Sequence, residues 1–380
     1  MGQPLSFSLV AGEASGDLLA SLLLGGMKQR WPDMHSMGIG GPRMQRQGFE
    51  AWWPSDKLAV RGYVEVLRHY REIVGIRGQL KERLLRQRPD VFIGVDAPDF
   101  NLDLSRDLKT AGIPTVHFVC PSIWAWRANR VDKIRQSVDH VLCIFPFEPA
   151  LLAAHGIDAT YVGHPLAQTI PMQPDRQAAR HTLGLPPDAQ VVALLPGSRA
   201  SEIDYLCERF LRAAQILSRQ DAGLHFVLPA MPNLLARIEQ AVRNVGGVPR
   251  LHVLRGQSHD ALAACDVTLI ASGTATLEAA LFKRPMVIAY NMHWLSWQIM
   301  RRKKLQPWVG LPNILCREFV VPELLQDQAT PHQLAHQVSQ WLRAPERVRA
   351  LEQRFGDLHH ELRRDTATLA TDAIEKVLAR

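Results

Sequence analysis

Cysteine is scarce in this sequence of 380 residues, and no two cysteines form a C-x-x-C pair. The five that occur are widely spaced: Cys120, Cys143, Cys207, Cys265 and Cys316. An odd number at such spacing predicts neither a disulfide framework nor a zinc site. The pattern fits a protein of the reducing cytoplasm.

Long apolar runs are also missing. No stretch reaches the roughly 18 consecutive apolar residues that a membrane-spanning helix needs. The segment from Met1 to Val10 has no basic region before its short apolar run, so we do not interpret it as a signal peptide. We therefore expect a cytoplasmic protein, and its 380 residues predict two domains.

Several cofactor and metal motifs are absent as well. The sequence contains no D-x-D, H-E-x-x-H or P-loop pattern, and its glycines do not match G-x-G-x-x-G. A catalytic metal would lack its usual ligands, and no dinucleotide fingerprint is present. We expect no cofactor and no metal, so a leaving anion would have to be stabilised by arginine and helix ends.

Basic residues, by contrast, are in excess. The net charge is +7 and the isoelectric point is near 9.3, which favours anionic partners such as acidic lipid, phosphorylated substrates or nucleic acid. The basic residues are scattered and match no nucleic-acid recognition motif, so we expect no nucleic-acid partner. A non-catalytic nucleic-acid-binding protein is the weaker alternative.

Short apolar runs rich in Val, Ile and Phe alternate with helical patterns along the chain. A first series predicts strands at 5–10, 91–95, 114–119 and 140–144, with helices such as 16–30 and 102–110 between them. A second series predicts strands at 190–195, 224–228, 251–254, 267–270 and 285–289. Such alternation is typical of βαβ units in parallel sheets.

The predicted fold is therefore α/β, with two doubly wound, Rossmann-like domains that face each other and a C-terminal helical tail. The Pro-rich polar segment 163–174 is the best candidate linker. We place the N-terminal domain at 1–168 and the C-terminal domain at 169–349. Ligands of such folds bind at the carboxyl ends of the strands, where the candidate site residues are expected.

The first predicted strand runs into the sequence GEASGD, residues 12–17. Its two glycines would let the backbone approach a ligand, and Ser15 or Asp17 could cap the next helix. A ligand loop here would use Glu13, Ser15, Gly16 and Asp17. A tight structural turn is about equally well supported.

The strand at 91–95 ends in DAPDFN, residues 96–101. A carboxylate directly after a buried strand suits a general base, because partial burial raises its pKa and makes it a better proton acceptor. Asp96 is the candidate. The alternative is that Asp96 or Asp99 only caps the following helix, and for Asp99 that alternative is the better one.

The next strand ends in PSIWAWR, residues 121–127. Ser122 and Trp124 are candidates here, since tryptophans beside an arginine could stack on a sugar or contact an acyl chain. A hydrophobic plug between helices is the alternative.

In the second half, the sequence PGSR ends a strand at 196–199 and opens a helix near Ser201. Backbone amides at a helix start, together with Ser198 and the planar guanidinium of Arg199, would form an anion site. A structural salt bridge of Arg199 is the alternative.

The strongest local pattern is SGTATLE, residues 272–278. Small and hydroxyl residues at a helix start let phosphate oxygens reach the amides, and a carboxylate further along can accept bonds from ribose hydroxyls. The candidates are Ser272, Gly273, Thr274, Ala275, Thr276 and Glu278. A simple capped helix start would tolerate these residues without requiring them.

Asn313 ends the sequence GLPN at 310–313, after a basic and aromatic stretch at 293–304. Its amide could hydrogen-bond a phosphate or a sugar. Alone, it would be an ordinary turn residue.

Together these motifs resemble the lipid-A-disaccharide synthase family, glycosyltransferases of family 19 with the two-domain GT-B fold. The matching segments cover nearly the whole chain: LVAGEASGD (9–17), GPRM (41–44), DAPDFN (96–101), PSIWAWR (121–127), VGHP (162–165), LPGSR (195–199) and SGTATLE (272–278). Each motif alone is weak, but their joint order is specific.

The resemblance implies an inverting transfer of sugar from UDP-2,3-diacylglucosamine to 2,3-diacylglucosamine 1-phosphate. The products would be the β-1′,6-linked disaccharide 1-phosphate and UDP. It implies that Asp96 is the base on the acceptor 6-hydroxyl, that Arg199 and Asn313 hold the diphosphate, and that 272–278 binds the nucleotide. A UDP-N-acetylglucosamine 2-epimerase-like isomerase of the same fold is the alternative.

The resemblance also implies a homodimer with exchanged C-terminal segments, and a last helix, at about 350–380, that packs back on the N-terminal domain. Because the implied substrates are acylated, we expect a peripheral protein on the inner face of the cytoplasmic membrane, bound to anionic lipid.

The expected membrane face lies at 61–88, an amphipathic pattern with eight Lys or Arg and three Glu, a surplus of five positive charges (8 − 3). Its apolar side comprises Val64, Val66, Leu67, Tyr70, Ile73 and Val74. Packing of this side into the N-terminal core is the alternative.

Overall fold

The computed structural model describes residues 4–58, 63–125, 130–303 and 305–380. The chain divides into two units. The first comprises Met1–Gln168 together with Leu362–Arg380, and the second comprises Thr169–Glu361. The division after Gln168 lies within the Pro-rich polar segment 163–174.

The first unit contains a seven-stranded parallel sheet with the order β3-β2-β1-β4-β5-β6-β7. Its strands are β1 (Ser6–Ala11), β2 (His35–Gly40), β3 (Glu50–Pro54), β4 (Val91–Val95), β5 (Thr115–Phe118), β6 (His140–Cys143) and β7 (Ala159–Tyr161). Its helices up to the boundary are α1 (Glu13–Arg30), α2 (Pro42–Arg46), α3 (Tyr63–Gln87), α4 (Pro98–Thr110), α5 (Val131–Ser137), α6 (Glu148–Ala153) and α7 (Pro165–Thr169).

The second unit contains a six-stranded parallel sheet with the order β10-β9-β8-β11-β12-β13. Its strands are β8 (Val191–Leu195), β9 (His225–Ala230), β10 (Leu251–Arg255), β11 (Val267–Ala271), β12 (Met286–Tyr290) and β13 (Glu323–Leu325). Its helices are α8 (Arg176–Thr182), α9 (Ala200–Gln220), α10 (Leu235–Asn244), α11 (Ser258–Ala264), α12 (Thr274–Leu281), α13 (Trp294–Lys303), α14 (Leu311–Cys316), α15 (Pro331–Leu342) and α16 (Pro345–Leu362).

In both sheets the strand order reverses direction at one point. The chain moves outward from β1 to β3 and then returns to add β4 on the other side of β1, and β8 and β11 are related in the same way. Crevices at such switch points are where ligands bind in doubly wound folds. The predicted fold class of two doubly wound α/β units is confirmed.

The central strands are those that the sequence predicted, because strands covered on both faces are continuously apolar. All five residues of β4, β8 and β11 are buried. The sequence missed β2, β3, β7 and β13, three of which lie at a sheet edge. These strands are short, glycine-containing or half-exposed, so they carry no apolar run.

The first unit buries a large cluster between its sheet and the helices α3 and α4. The second half of α3 contributes Ile76, Leu80 and Leu84, which are at most 6% exposed. These residues pack against apolar side chains of α4 and of the strands. This half of α3 is therefore a core helix. None of the helices in the described residues combines the length and apolar character needed to cross a bilayer.

The C-terminal tail is helical, as predicted, but less of it returns to the first unit than the predicted 350–380. Most of α16 belongs to the second unit, where Leu351, Phe355 and Leu358 are buried and Arg354 donates to the Cys316 carbonyl over 2.9 Å. The returning part is Leu362–Arg380, which contains α17 (Thr366–Leu378).

Helix α17 packs against α1 at a contact that needs glycine. A Cβ added to Gly26 would lie 2.8 Å from the Ala367 carbonyl oxygen. One turn further on, Arg30 pairs with Asp372 and Glu375, each over 2.6 Å. The C-terminal helix is thus an integral part of the first unit.

Candidate active site

The switch point of the second sheet opens into a pocket of about 360 Å³. The loops after β8 and β11 form its two sides, and the loops after β9 and β10 close it. The lining residues are Leu195, Gly197, Ser198, Arg199, Glu202, Pro229, Ala230, Met231, Gly256, Ser258, Ala271, Ser272, Gly273, Thr274, Ala275 and Glu278. Most of the residues predicted to bind a nucleotide-sugar therefore line one pocket.

Arg199 lies at the pocket rim, just before α9. Its side chain is 66% exposed, and its Nη1 donates to Glu202 over 2.9 Å. The other carboxylate oxygen of Glu202 accepts the amides of Ser198 (2.8 Å) and Arg199 (3.2 Å). The structural salt bridge that was the alternative thus exists, and it engages one edge of a guanidinium that still reaches solvent.

Glu202 also explains the glycine of the PGSR motif. Gly197 has φ +129°, and a Cβ there would lie 2.4 Å from the Cβ and from a carboxylate oxygen of Glu202. The close approach lets the carboxylate cap two amides of the turn. Because these amides already have an acceptor, the anion-binding capacity of this side of the pocket rests on Arg199. No local sequence pattern indicated this role of Glu202.

The opposite side of the pocket is the start of α12. Its N-cap Gly273 provides no side-chain cap, which leaves the first amides of this eight-residue helix directed at the pocket. The Ser272 hydroxyl donates to the Val309 carbonyl over 3.3 Å. Thr276 is fully buried, donates from its hydroxyl to the Gly273 carbonyl and is not among the residues that line the pocket, so its contact with the nucleotide stays a prediction.

Glu278 lines the same pocket and has a partner that the sequence did not reveal. His259 donates from Nε2 to the Glu278 carboxylate over 3.0 Å, and its ring packs edge-on against Phe282. This hydrogen bond raises the pKa of His259. The pair holds one carboxylate oxygen and leaves the other side of Glu278 facing the pocket.

Asn313 is placed differently from the prediction. It is fully buried: its amide donates to the Val321 carbonyl (2.9 Å) and Glu323 (2.8 Å), and its oxygen accepts the amides of Val320 and Val321. Both donors are used, so Asn313 shapes its loop and offers no donor to a diphosphate. A single asparagine in a turn motif cannot reveal whether its amide points outward.

The switch point of the first sheet carries two carboxylates. Glu13 follows β1 and Asp96 follows the neighbouring strand β4, where Ala11 and Val95 are paired. Asp96 is exposed to solvent at the rim of the strand ends. Even so, partial burial of its carboxyl, and then the nearby charge of Glu13, raise the pKa of Asp96. A carboxylate with a raised pKa at this place suits a general base.

The backbone around Asp96 is strained. Glu13 (φ 59°), Asp96 (φ 52°), Ala97 (φ 42°) and Val119 (φ 80°) all have left-handed conformations at the ends of β1, β4 and β5. Such conformations are unfavourable for residues with a Cβ and cluster at functional sites. The fully buried Asn101 supports the turn by donating to the Asp96 carbonyl over 2.8 Å.

The predicted loop after β1 has a structural rather than a ligand-binding role at Asp17. Its carboxylate, 4% exposed, accepts the amides of Gly41 (3.0 Å), Arg43 (3.0 Å) and Met44 (3.1 Å). Asp17 therefore caps α2 from within α1. Neither it nor Ser15 caps α1, because that helix begins already at Glu13 with Gly12 as its N-cap. Ser15 is exposed, and Gly16 is buried.

In the PSIWAWR loop, Trp124 matches the alternative of a hydrophobic plug between helices. This side chain is 9% exposed, packs edge-on against Phe145 and Phe147, and donates from Nε1 to Glu148 over 3.0 Å. Burial raises the pKa of Glu148 to about 7. Ser122 is exposed, whereas Trp126 and Arg127 lie outside the described residues.

The expected membrane face on α3 is only partly described. The side chains of Val64, Val66, Leu67 and Tyr70 lie outside the described residues. Ile73 is half-buried and packs against the core cluster, whereas Val74 is 37% exposed. The basic residues further along are partly neutralised, since Arg77 pairs with Asp103 (3.1 Å) and Lys81 pairs with Asp107 (2.7 Å).

Within the described ranges, no three His, Cys, Asp or Glu side chains converge in a way that could hold a metal ion. Independence from metal stays a prediction for the reaction.

Comparison with known proteins identifies close relatives. A family model described as lipid-A-disaccharide synthetase matches residues 7–376. The lipid-A-disaccharide synthase of Albidiferax ferrireducens is 66% identical, over 100% of this chain and 98% of that protein. The enzyme of the same name from Verminephrobacter eiseniae is 62% identical, over 100% and 99%.

Solved structures show the same fold at much lower identity. UDP-GlcNAc 2-epimerase from Neisseria meningitidis, bound to UDP-GlcNAc, aligns with a TM-score of 0.66 at 12% identity, covering 99% of this chain and all of that one. Acinetobacter baumannii MurG aligns with a TM-score of 0.61 at 12% identity, covering 98% and 100%. At this identity the likeness concerns the fold alone.

Proposed function

Because the chain belongs to the lipid-A-disaccharide synthase family, we propose that its two switch-point sites divide the work of one sugar transfer. The chain is a glycosyltransferase of lipid A biosynthesis that forms the lipid A disaccharide. The epimerase alternative is supported by likeness of fold alone, at 12% identity for the Neisseria meningitidis enzyme.

The proposed donor is UDP-2,3-diacylglucosamine, and the proposed donor site is the pocket of the second unit. The observation that carries this assignment is the convergence of Arg199, the open start of α12 and Glu278 on one pocket of about 360 Å³. A guanidinium and uncapped amides suit a diphosphate, and a fixed carboxylate suits ribose hydroxyls.

The proposed acceptor is 2,3-diacylglucosamine 1-phosphate, and the proposed base is Asp96. Its raised pKa and its strained position support the role. Asp96 removes the proton of the acceptor 6-hydroxyl as this oxygen attacks the anomeric carbon and UDP leaves. One displacement inverts the configuration, so no covalent glycosyl-enzyme forms. Glu13 and the exposed Ser122 are the proposed neighbours of the acceptor.

We further propose that Arg199 and the α12 amides stabilise the charge of the departing UDP without a metal or another cofactor. Asn313 contributes indirectly, since it bonds Glu323, which in turn accepts the amides of Val309 and Gly310 beside Ser272.

The remaining proposals concern partners. We propose peripheral binding to the anionic inner face of the cytoplasmic membrane, where acylated substrates reside, and a homodimer with exchanged C-terminal segments. The second is supported by the tight, glycine-dependent seat of α17 on α1, which a partner's segment could equally occupy.

The decisive experiment is incubation of the protein with the two diacyl substrates, followed by mass spectrometry for the disaccharide phosphate and UDP. We expect both products in equal amounts and strict dependence on the acceptor. Conversion of a UDP-sugar to its epimer without consumption of the acceptor would overturn the proposal.

A further inference from the structure

The stretch at 293–305, which we call the basic-aromatic segment, plays no part in the mechanism above. It lies within a longer region without acidic residues: no Asp or Glu occurs between Glu278 and Glu318. Four consecutive basic residues occur at 301–304, and tryptophans stand at 294 and 297.

Two apolar side chains of this segment are unusually exposed for their chemistry. Trp294 is 65% exposed and Leu305 is 54% exposed, and these are among the most exposed large apolar residues of the described chain. Trp294 and Arg301 are seven residues apart and so lie on one face of α13. Arg301 and Arg302 are exposed, and neither forms an ion pair with a described residue.

The segment also flanks the donor pocket within the second unit. Tyr290, directly before it, has its pKa raised by burial and then by the charge of Glu202, a pocket residue. The Tyr290 hydroxyl contacts the Met300 sulfur of α13 over 4.0 Å. Just after the segment, the Val309 carbonyl accepts a hydrogen bond from the hydroxyl of Ser272, which lines the pocket. The residues on either side of the segment therefore lie near pocket residues.

We propose that the basic-aromatic segment is a membrane-binding surface of the second unit, with an anionic phospholipid bilayer as its partner. Exposed tryptophan and leucine suit the headgroup boundary, and clustered arginine and lysine suit acidic headgroups. The proposal rests on the proposed donor site: a surface here would let an acylated donor enter the pocket while its chains stay in the bilayer.

The arrangement of charge on α3 is different. On α3, Arg77 and Lys81 pair with acids of α4, and the exposed Arg71 and Arg86 stand fifteen residues apart, whereas the exposed Arg301 and Arg302 are adjacent and pair with no described acid. Unpaired charges retain their attraction to an anionic surface, and salt weakens that attraction.

The test is flotation of the full-length chain with phosphatidylcholine vesicles, with and without phosphatidylglycerol. The variants are Trp294→Ser with Leu305→Ser, and Arg301→Gln with Arg302→Gln. We expect each pair to lower the partition coefficient by roughly tenfold. The arginine pair should act only on vesicles with phosphatidylglycerol and should lose its effect at high salt.

Matched controls come from the same unit. Phe319→Ser removes an apolar side chain that is 56% exposed but lies outside the segment. Arg212→Gln with Arg219→Gln removes the same charge from exposed positions of α9. Both controls should bind vesicles like the unchanged protein, and all variants should keep their affinity for UDP and their unfolding temperature.

Wild-type partitioning by both segment variants would overturn the proposal. So would unchanged vesicle binding accompanied by loss of a dimer in light scattering, which would make the segment a contact between copies. Failure of the unchanged protein to bind UDP would refute the proposed donor site and would leave the vesicle result standing.

Discussion

The two switch points of the molecule share a topology but differ in how their acidic residues are arranged. At β1 and β4 two acidic residues, Glu13 and Asp96, lie close enough for one to raise the pKa of the other. At β8 and β11 each acidic residue is paired, Glu202 with Arg199 and Glu278 with His259. The first arrangement favours proton uptake, and the second fixes side chains around a place for an anion.

A doubly wound sheet thus determines where a ligand sits, whereas a few residues after each strand determine the chemistry. Substitutions at the first site should therefore affect a proton transfer, and substitutions at the second site should affect the binding of an anion.

Asp96→Asn should lower turnover by about 10²–10⁴-fold, the usual contribution of a general base, because the amide cannot accept the proton. Affinity for UDP, measured by calorimetry, should not change. Asp99→Asn is the matched control: this residue is in the same turn, is exposed and pairs with Arg130. Near-normal turnover of Asp96→Asn would remove the first site from proton transfer.

Arg199→Ala should weaken UDP binding or transition-state stabilisation by about 2–4 kcal/mol, as for other lost electrostatic donors. Steady-state kinetics and UDP titration measure the two separately. Arg212→Ala, on the helix that follows Arg199 and also paired with a glutamate, is the control. If Arg199→Ala changed only the unfolding temperature, the guanidinium would be structural. The second switch point would then not bind an anion through Arg199.

Asp17→Asn should destabilise the first unit by about 1–3 kcal/mol, because three amide donors, two of them buried, lose a charged acceptor. The unfolding midpoint of the purified variant measures this. UDP affinity should remain, which separates a structural carboxylate from Asp96. An unchanged midpoint would mean that the cap of α2 is dispensable; Asp33→Asn, at an exposed position, is the control.

Glu13→Gln should shift the acidic limb of the pH–rate profile to lower pH. The base must be ionised, so kcat/KM falls as pH drops through the raised pKa of Asp96. Removing the like charge of Glu13 lowers that pKa, although burial, its larger cause, remains. A shift to higher pH, or none in a fully active variant, would show that Glu13 does not act on Asp96.

A chelator should have no effect on turnover. The second site holds its charge with Arg199 and amides, and a metal ion is not part of the proposal. Inhibition by chelator that added magnesium restores would contradict this, and it would make the second site a metal-assisted one.

The sequence predicted the central strands, the fold class and most residues of the donor pocket, because buried strands are apolar and the loops after them carry the small residues of PGSR and SGTATLE. The sequence could not predict whether a polar side chain points into a pocket or into its own loop. Asp17 and Asn313 look like ligand residues, yet both point inward and bind backbone groups. His259 and Glu202 were missed because their roles come from contacts across a turn or between two helices, which no local pattern shows.

The packing of α17 on α1 has a consequence for the synthesis of the protein on the ribosome. The first unit is encoded by two pieces of gene with the whole second unit between them, so its α1 surface around Gly26 stays uncovered during synthesis of the second unit. At roughly 5–20 residues per second, this interval lasts about 10–40 s on the ribosome. During that time the nascent first unit lacks the helix that covers Gly26 in the finished chain, so this unit can be completed only after the second unit has been synthesised.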